Sequence, residues 1–154
     1  NWLGVRTHVW GGVTYFNVVG ERPGGVVAQA LGDRLKTRGW KGRPWMVRMA
    51  SGAAPSSLND TDIVISGQLL EFSAGAKSRF FSTVVNTSSK MVITARNLGD
   101  QSTTIRTVEG AERDTVFWFN EADVQQLLAS TLKDCIDRYI DDTTIDQKAL
   151  RPTR

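Results

Sequence analysis

Trp40, Lys41, Arg43, Trp45 and Arg48 set two indoles among three cations in one short stretch. A guanidinium or ammonium beside an indole can hold a phosphate while the ring stacks on a nucleic-acid base. The same combination suits a lipid headgroup layer, where a ring with an apolar face and a polar edge is favoured. A third arrangement satisfies the residues equally: both tryptophans pack into the core and the cations face water. These five residues form the one candidate ligand or partner patch. Anionic lipid or an envelope polymer is favoured over nucleic acid as its target, because no aromatic ribonucleoprotein signature occurs on any expected strand.

Other chemistry is sparse. His8 is the only histidine and Cys135 the only cysteine. Triads built on histidine, and most zinc sites, need more of these residues than the chain holds. Cys135 falls on the expected buried face of the last helix, where a thiol behaves as a small inert hydrophobe. Gly75-Ala76-Lys77-Ser78 resembles the end of a phosphate loop, but its lysine does not follow glycine and the spaced upstream glycine is missing. Lys77 is therefore expected in a hairpin turn. Gly20 to Gly25 lacks dinucleotide-binding spacing and reads as a turn from strand to helix. Asp141, Asp142 and Asp146 lack the glycine and terminal glutamate of a calcium loop. Asn59-Asp60-Thr61 and Asn86-Thr87-Ser88 match the glycosylation pattern at a frequency chance supplies. No carboxylate pair is singled out for acid–base work. The chain is expected not to be an enzyme, with no catalytic residue, no cofactor and no metal.

Composition fits this. At 154 residues, 40% apolar and 23% charged, the chain reads as one globular domain that can bury a core without disulfide or metal staples. No window approaches the ~20 apolar residues that span a bilayer. The sequence starts at Asn1 rather than methionine, so any targeting segment is expected upstream. The net charge of +3 is modest but segregated. Arg34 to Asn59 holds six bases and no acid, whereas Glu109 to Asp146 holds ten acids and three bases. Either two faces of opposite sign steer a partner, or the two regions are solvated surfaces packed near one another.

The elements that must position these residues can be read in outline. Residues 1–12 form an N-terminal arm or leader strand without clean periodicity. Val13 to Val19 is apolar on both faces, which suits a central strand. Val26 to Arg38 carries Val27, Ala30, Leu31 and Leu35 at helical spacing and stops at Gly39. Trp45 to Met49 is a short strand, and Ala50 to Asp60 a loop. Asp62 to Phe72 is a strong strand. Phe80 to Val85 and Lys90 to Arg96 are strand pieces around a polar break, Asn86 to Ser89, read as a bulge or turn. Leu98 to Gln101 is a hairpin signal, and Thr103 to Glu109 returns as a strand. Asn120 caps a helix with Asp123 in its first turn. Val124, Leu127, Leu128, Thr131, Leu132, Cys135, Ile136 and Tyr139 then mark one face. The expected order is β-α-β-β-β-β-α: an α+β domain over 13–142, with a mostly antiparallel four- to five-stranded sheet, two helices packed on one face, and a frayed tail over 143–154.

The strand Thr61-Asp62-Ile63-Val64-Ile65-Ser66-Gly67-Gln68-Leu69-Leu70-Glu71-Phe72, the strand–hairpin–strand from Met91 to Val108 and the helix from Asn120 to Ile140 together resemble the YajG-type envelope lipoproteins. They are also similar to the auxiliary lipoproteins of ABC-type lipid transporters. Leu35 to Trp40 matches the "L-x-x-x-G-(W/F/Y)" helix end of that plan. The resemblance covers Val13 to Ile140. It implies a periplasmic accessory domain, held at the outer membrane by a lipidated cysteine upstream, that binds an envelope protein, a lipid or a wall polymer in lipid transport or envelope assembly. It supplies no catalytic residues. Pairing of two copies through a sheet edge is a further expectation, and a nucleic-acid-binding module built on Trp40 to Arg48 is the alternative.

Overall fold

The computed structural model describes residues 2–17, 22–38, 46–49 and 61–146, with the backbone alone at 49 and 142–146. Six strands and two helices follow in the order β1 (Trp2–Thr7), β2 (Val13–Asn17), α1 (Pro23–Arg38), β3 (Val47–Met49), β4 (Ile63–Ser78), β5 (Thr83–Asn97), β6 (Thr103–Val116) and α2 (Glu121–Asp146). The sheet runs β2-β1-β4-β5-β6, with β3 also paired to β4. Three pairings are antiparallel; β1 and β3 both run parallel to β4, along different parts of its length. The fold is α+β with both helices on one face, as expected, and the sheet has more strands than expected.

The additional strand is β1, within residues 1–12, for which the sequence leaves an arm or a leader strand open. It lies between β2 and β4, so Val13 to Asn17 becomes an exposed edge strand and not a central one. The polar break at Asn86 to Ser89 is neither bulge nor turn: β5 runs through it unbroken. The bulge sits opposite, in β4, between Leu69 and Glu71. It shifts the phase of the strand. Ile63 and Ile65 face the helices before it, and Ala74 and Ala76 face them after it. Lys77 lies within β4, not in a turn; the turn is Arg79 to Ser82. β6 continues to Val116 and α2 to Asp146, both beyond their expected ends.

The α2 start is a reciprocal cap. The Asn120 side chain accepts from the Ala122 amide at 3.2 Å, and the Asn120 amide donates to Asp123 at 2.8 Å. Its apolar face is buried as expected, with Thr131, Cys135 and Tyr139 fully enclosed. The core forms two clusters. One joins α1 and the later turns of α2 over Ile63, Ile65, Met91 and Ile93; the other joins Val124 and Leu128 to Leu3, Ala74, Ala76 and Val85.

α2 approaches the sheet closely at Gly110, where a Cβ atom would stand 2.5 Å from Cys135 Sγ and 3.3 Å from the Thr131 carbonyl oxygen. Small residues around this point make the approach possible: Ser89, paired with Gly110, and Thr87, whose hydroxyl bonds Thr131 at 2.6 Å. Burial pushes the Cys135 thiol above its ordinary value. Gly110→Ala is expected to destabilise by about 2 kcal/mol through overpacking. Cys135→Ala in the same chain recovers part of that loss; additive costs in a urea-denaturation double-mutant cycle would refute the contact.

The two charge-segregated regions meet each other. Arg34 forms two hydrogen bonds with Asp137, at 2.6 and 3.1 Å, and Arg38 reaches Asp141 at 2.6 Å. The equal offset of these pairs means that α1 and α2 run parallel, side by side. The Arg34 guanidinium holds the Asp137 carboxyl below its ordinary 3.8, against the opposing effect of desolvation and with help from Lys133. A carboxylate with a lowered folded pKa stabilises above its ordinary range and loses that contribution as pH falls through it. Asp137→Asn is therefore expected to cost about 1 kcal/mol at pH 7, a modest figure because the pair is partly solvated. The gap between variant and parent closes in denaturation curves as pH is lowered through about 4 and below.

Candidate functional site

Of the five residues of the sequence-derived patch, Arg48 alone lies among the described residues, half-buried on β3. Trp40, Lys41, Arg43 and Trp45 lie outside them, as does the loop from Ala50 to Asp60. The structure brings together a different set.

Three connections converge at one end of the sheet: His8 to Gly12 between β1 and β2, Arg79 to Ser82 between β4 and β5, and Phe117 to Asn120 between β6 and α2. Each carries aromatic residues that the core does not take. Trp10, Phe80, Phe81, Phe117 and Trp118 are between 75% and 92% exposed. The alternation of a strand explains this. Only one of two neighbouring side chains can face the core, so Phe80-Phe81 and Phe117-Trp118 at strand ends must send rings outward. Contiguous exposed apolar surface on this scale marks an interaction site.

The rings stand on an ordered base. Trp10 packs edge-on against Phe80, with centroids 6.1 Å apart. Phe119 turns inward and stacks on Phe16 at 6.3 Å. Arg6 lies over the Phe119 ring at 3.9 Å and donates to Ser78 Oγ at 3.1 Å. Backbone bonds close two of the loops: His8 N–H to Gly12 O at 2.8 Å, and Arg79 N–H to Ser82 O at 2.7 Å. His8 Nε2 is 2.9 Å from the Thr14 hydroxyl, so the single histidine is engaged in shaping a turn.

Between the loops lies an open cleft of about 690 Å³. Its lining combines the aromatic residues with Arg6, His8, Arg79 and hydroxyl groups, and contains no carboxylate or thiol. None of the three loops contains an acid, and Asp123 of α2 accepts from the Asn120 amide at the end of one of them. Such a surface offers apolar rings, indole N–H groups and cations. Among the described residues no group of three histidine, cysteine or acidic side chains is placed to hold a metal.

The aromatic doublets stand in the sequence, but its pattern places Phe80 and Phe81 in a strand and Trp10 in a segment without periodicity. The signal that could have found them is the adjacency itself: two large rings side by side at a strand end cannot both be buried. Comparison with protein-family models and with curated proteins returned no match.

Proposed function

We propose that the chain is a non-catalytic accessory domain of the cell envelope that docks on a lipid surface through its aromatic end. One observation carries this reading: five highly exposed rings from three separate loops gather at one end of a rigid sheet, with Arg79 among them and no acid in those loops. Tryptophan and phenylalanine settle at the boundary between headgroups and acyl chains, and a neighbouring cation meets phosphate there. Burial of apolar area supplies most of the affinity, with charge as a smaller, salt-sensitive part. The resemblance of the Asp62–Phe72 strand and its following hairpin and helix to envelope lipoproteins supports the compartment. On this reading the domain works in the periplasm, tethered to the outer membrane by a lipid upstream of Asn1, and its aromatic end is a second point of contact.

The test is flotation of the purified domain with vesicles of phosphatidylethanolamine and phosphatidylglycerol, read with tryptophan quenching by brominated acyl chains. Co-flotation with quenching, largely retained at high salt, is the expected result. Absence of flotation sinks the lipid reading. Absence of flotation together with steeply salt-dependent binding of a single-stranded oligonucleotide favours the nucleic-acid alternative.

A further inference from the structure

β6 is an edge strand, and it is long: Thr103 to Val116, with β5 on one side and no partner on the other among the described residues. Such an edge presents a row of backbone donors and acceptors ready to pair. We infer that it pairs with β6 of a second copy, antiparallel, about a two-fold axis at Ala111.

The side chains select that axis. On the sheet face away from the helices, Glu71, Lys90 and Glu109 lie side by side across β4, β5 and β6. Lys90 is ion-paired with Glu109. The row alternates acid, base, acid and ends at the edge on an acid. An axis at Ala111 sets Arg113 of the second copy directly opposite Glu109, and by symmetry the reverse. The row then continues with a cation, twice. Arg113 has no carboxylate partner among the described residues, and its in-register neighbour on β5 is Asn86. The same axis sets Thr107 opposite Thr115.

Shifting the axis loses these matches. Centred on Glu109, the pairing sets that acid against its own copy. Centred on Gly110, it brings Arg106 and Asp114 together but leaves Arg113 facing Thr107 and Ile105 facing Thr115. Ala111 at the axis is small and exposed, so the two edges meet without obstruction. The axis is perpendicular to the sheet, which gives one continuous sheet with all four helices on one side. The two aromatic ends point in opposite directions.

Sedimentation equilibrium of the wild-type domain is expected to show a reversible dimer. Arg113→Glu, which sets acid against acid at both positions without disturbing a pair inside the chain, raises the dissociation constant at least about tenfold. Glu109→Arg combined with Arg113→Glu restores association in part, because the signs are exchanged on both strands while Lys90 loses its partner within the chain. Ala111→Cys gives a disulfide-linked dimer on mild oxidation, since only residues facing each other at the axis come within disulfide reach. A single-chain mass at all concentrations overturns the proposal. So does a dimer that is indifferent to Arg113→Glu, or one that fails to cross-link through residue 111. All these variants keep the aromatic end, so vesicle flotation reads that end separately.

Discussion

Replacing Phe81 and Trp118 together by serine reduces partition onto phosphatidylethanolamine–phosphatidylglycerol vesicles by roughly a thousandfold, with the thermal transition unchanged. The size follows from area. An aromatic side chain offers roughly 150–250 Å², and immersing about half of it is worth about 2 kcal/mol at ~25 cal/mol per Å². Two rings then supply about 4 kcal/mol. Stability is spared because neither ring packs in the core; both are more than 85% exposed, and such surface changes stay within about 0.5 kcal/mol. Leu70→Ser is the control. Leu70 is also an exposed apolar residue, but it sits at the β4 bulge, away from the aromatic end. It leaves partition unchanged if the aromatic end is the docking surface. An equal loss from Leu70→Ser, or a Phe81/Trp118 variant that floats like the parent, would show that general stickiness and not this end holds the vesicle.

Gly4→Ala is expected to cost about 3 kcal/mol or more. Gly4 sits at the irregularity in β1, with φ of 156°, next to Ala74 of β4. A Cβ atom there would overlap the Ala74 carbonyl. The clash is with backbone, so no rotamer change relieves it; β1 must move off β4 or β4 must distort. Moving β1 uncovers Leu3, separates Arg6 from Phe119 and Ser78, and withdraws Trp10 from Phe80. Urea denaturation should therefore show a lower midpoint, amide exchange should accelerate at Val5 and Arg6, and vesicle partition should weaken although no exposed ring has been removed. A variant with the parent's midpoint and unchanged exchange in β1 would contradict the close approach.

The sequence was most legible where a single period runs without interruption. The face of α2 from Val124 to Tyr139 and its Asn120–Asp123 cap are local patterns, and the structure has both. Legibility failed where long-range packing changes the local rule. In β4 one bulged residue moves the core-facing positions from Ile63, Ile65 and Leu69 to Phe72, Ala74 and Ala76, so no constant alternation can be traced past Leu69. In β5 the close approach of α2 requires small side chains, so the core-facing positions there are Thr87 and Ser89, which read as a polar break. β1 is short and contains a glycine, and what makes it a strand is β4, far along the chain. The clustering of the exposed aromatic residues is hidden in the sequence for a related reason. Trp10, Phe80 and Trp118 are separated in sequence and become neighbours only when three loops reach the same end.

That last point bears on the order in which a new chain becomes competent. β1 pairs with residues about 70 positions downstream, and in parallel, so its docking must await the emergence of β4 and the closing of a long loop, a slow step. The connection carrying Phe117 and Trp118 is made later still. Synthesis releases Trp10 first, then Phe80 and Phe81, and last the pair that completes the surface. Until β1 has paired with β4 and β6 with β5, the rings belong to unconnected segments and cannot act as one. Strand order thus makes the aromatic end a late product of folding, complete only after the sheet that carries it.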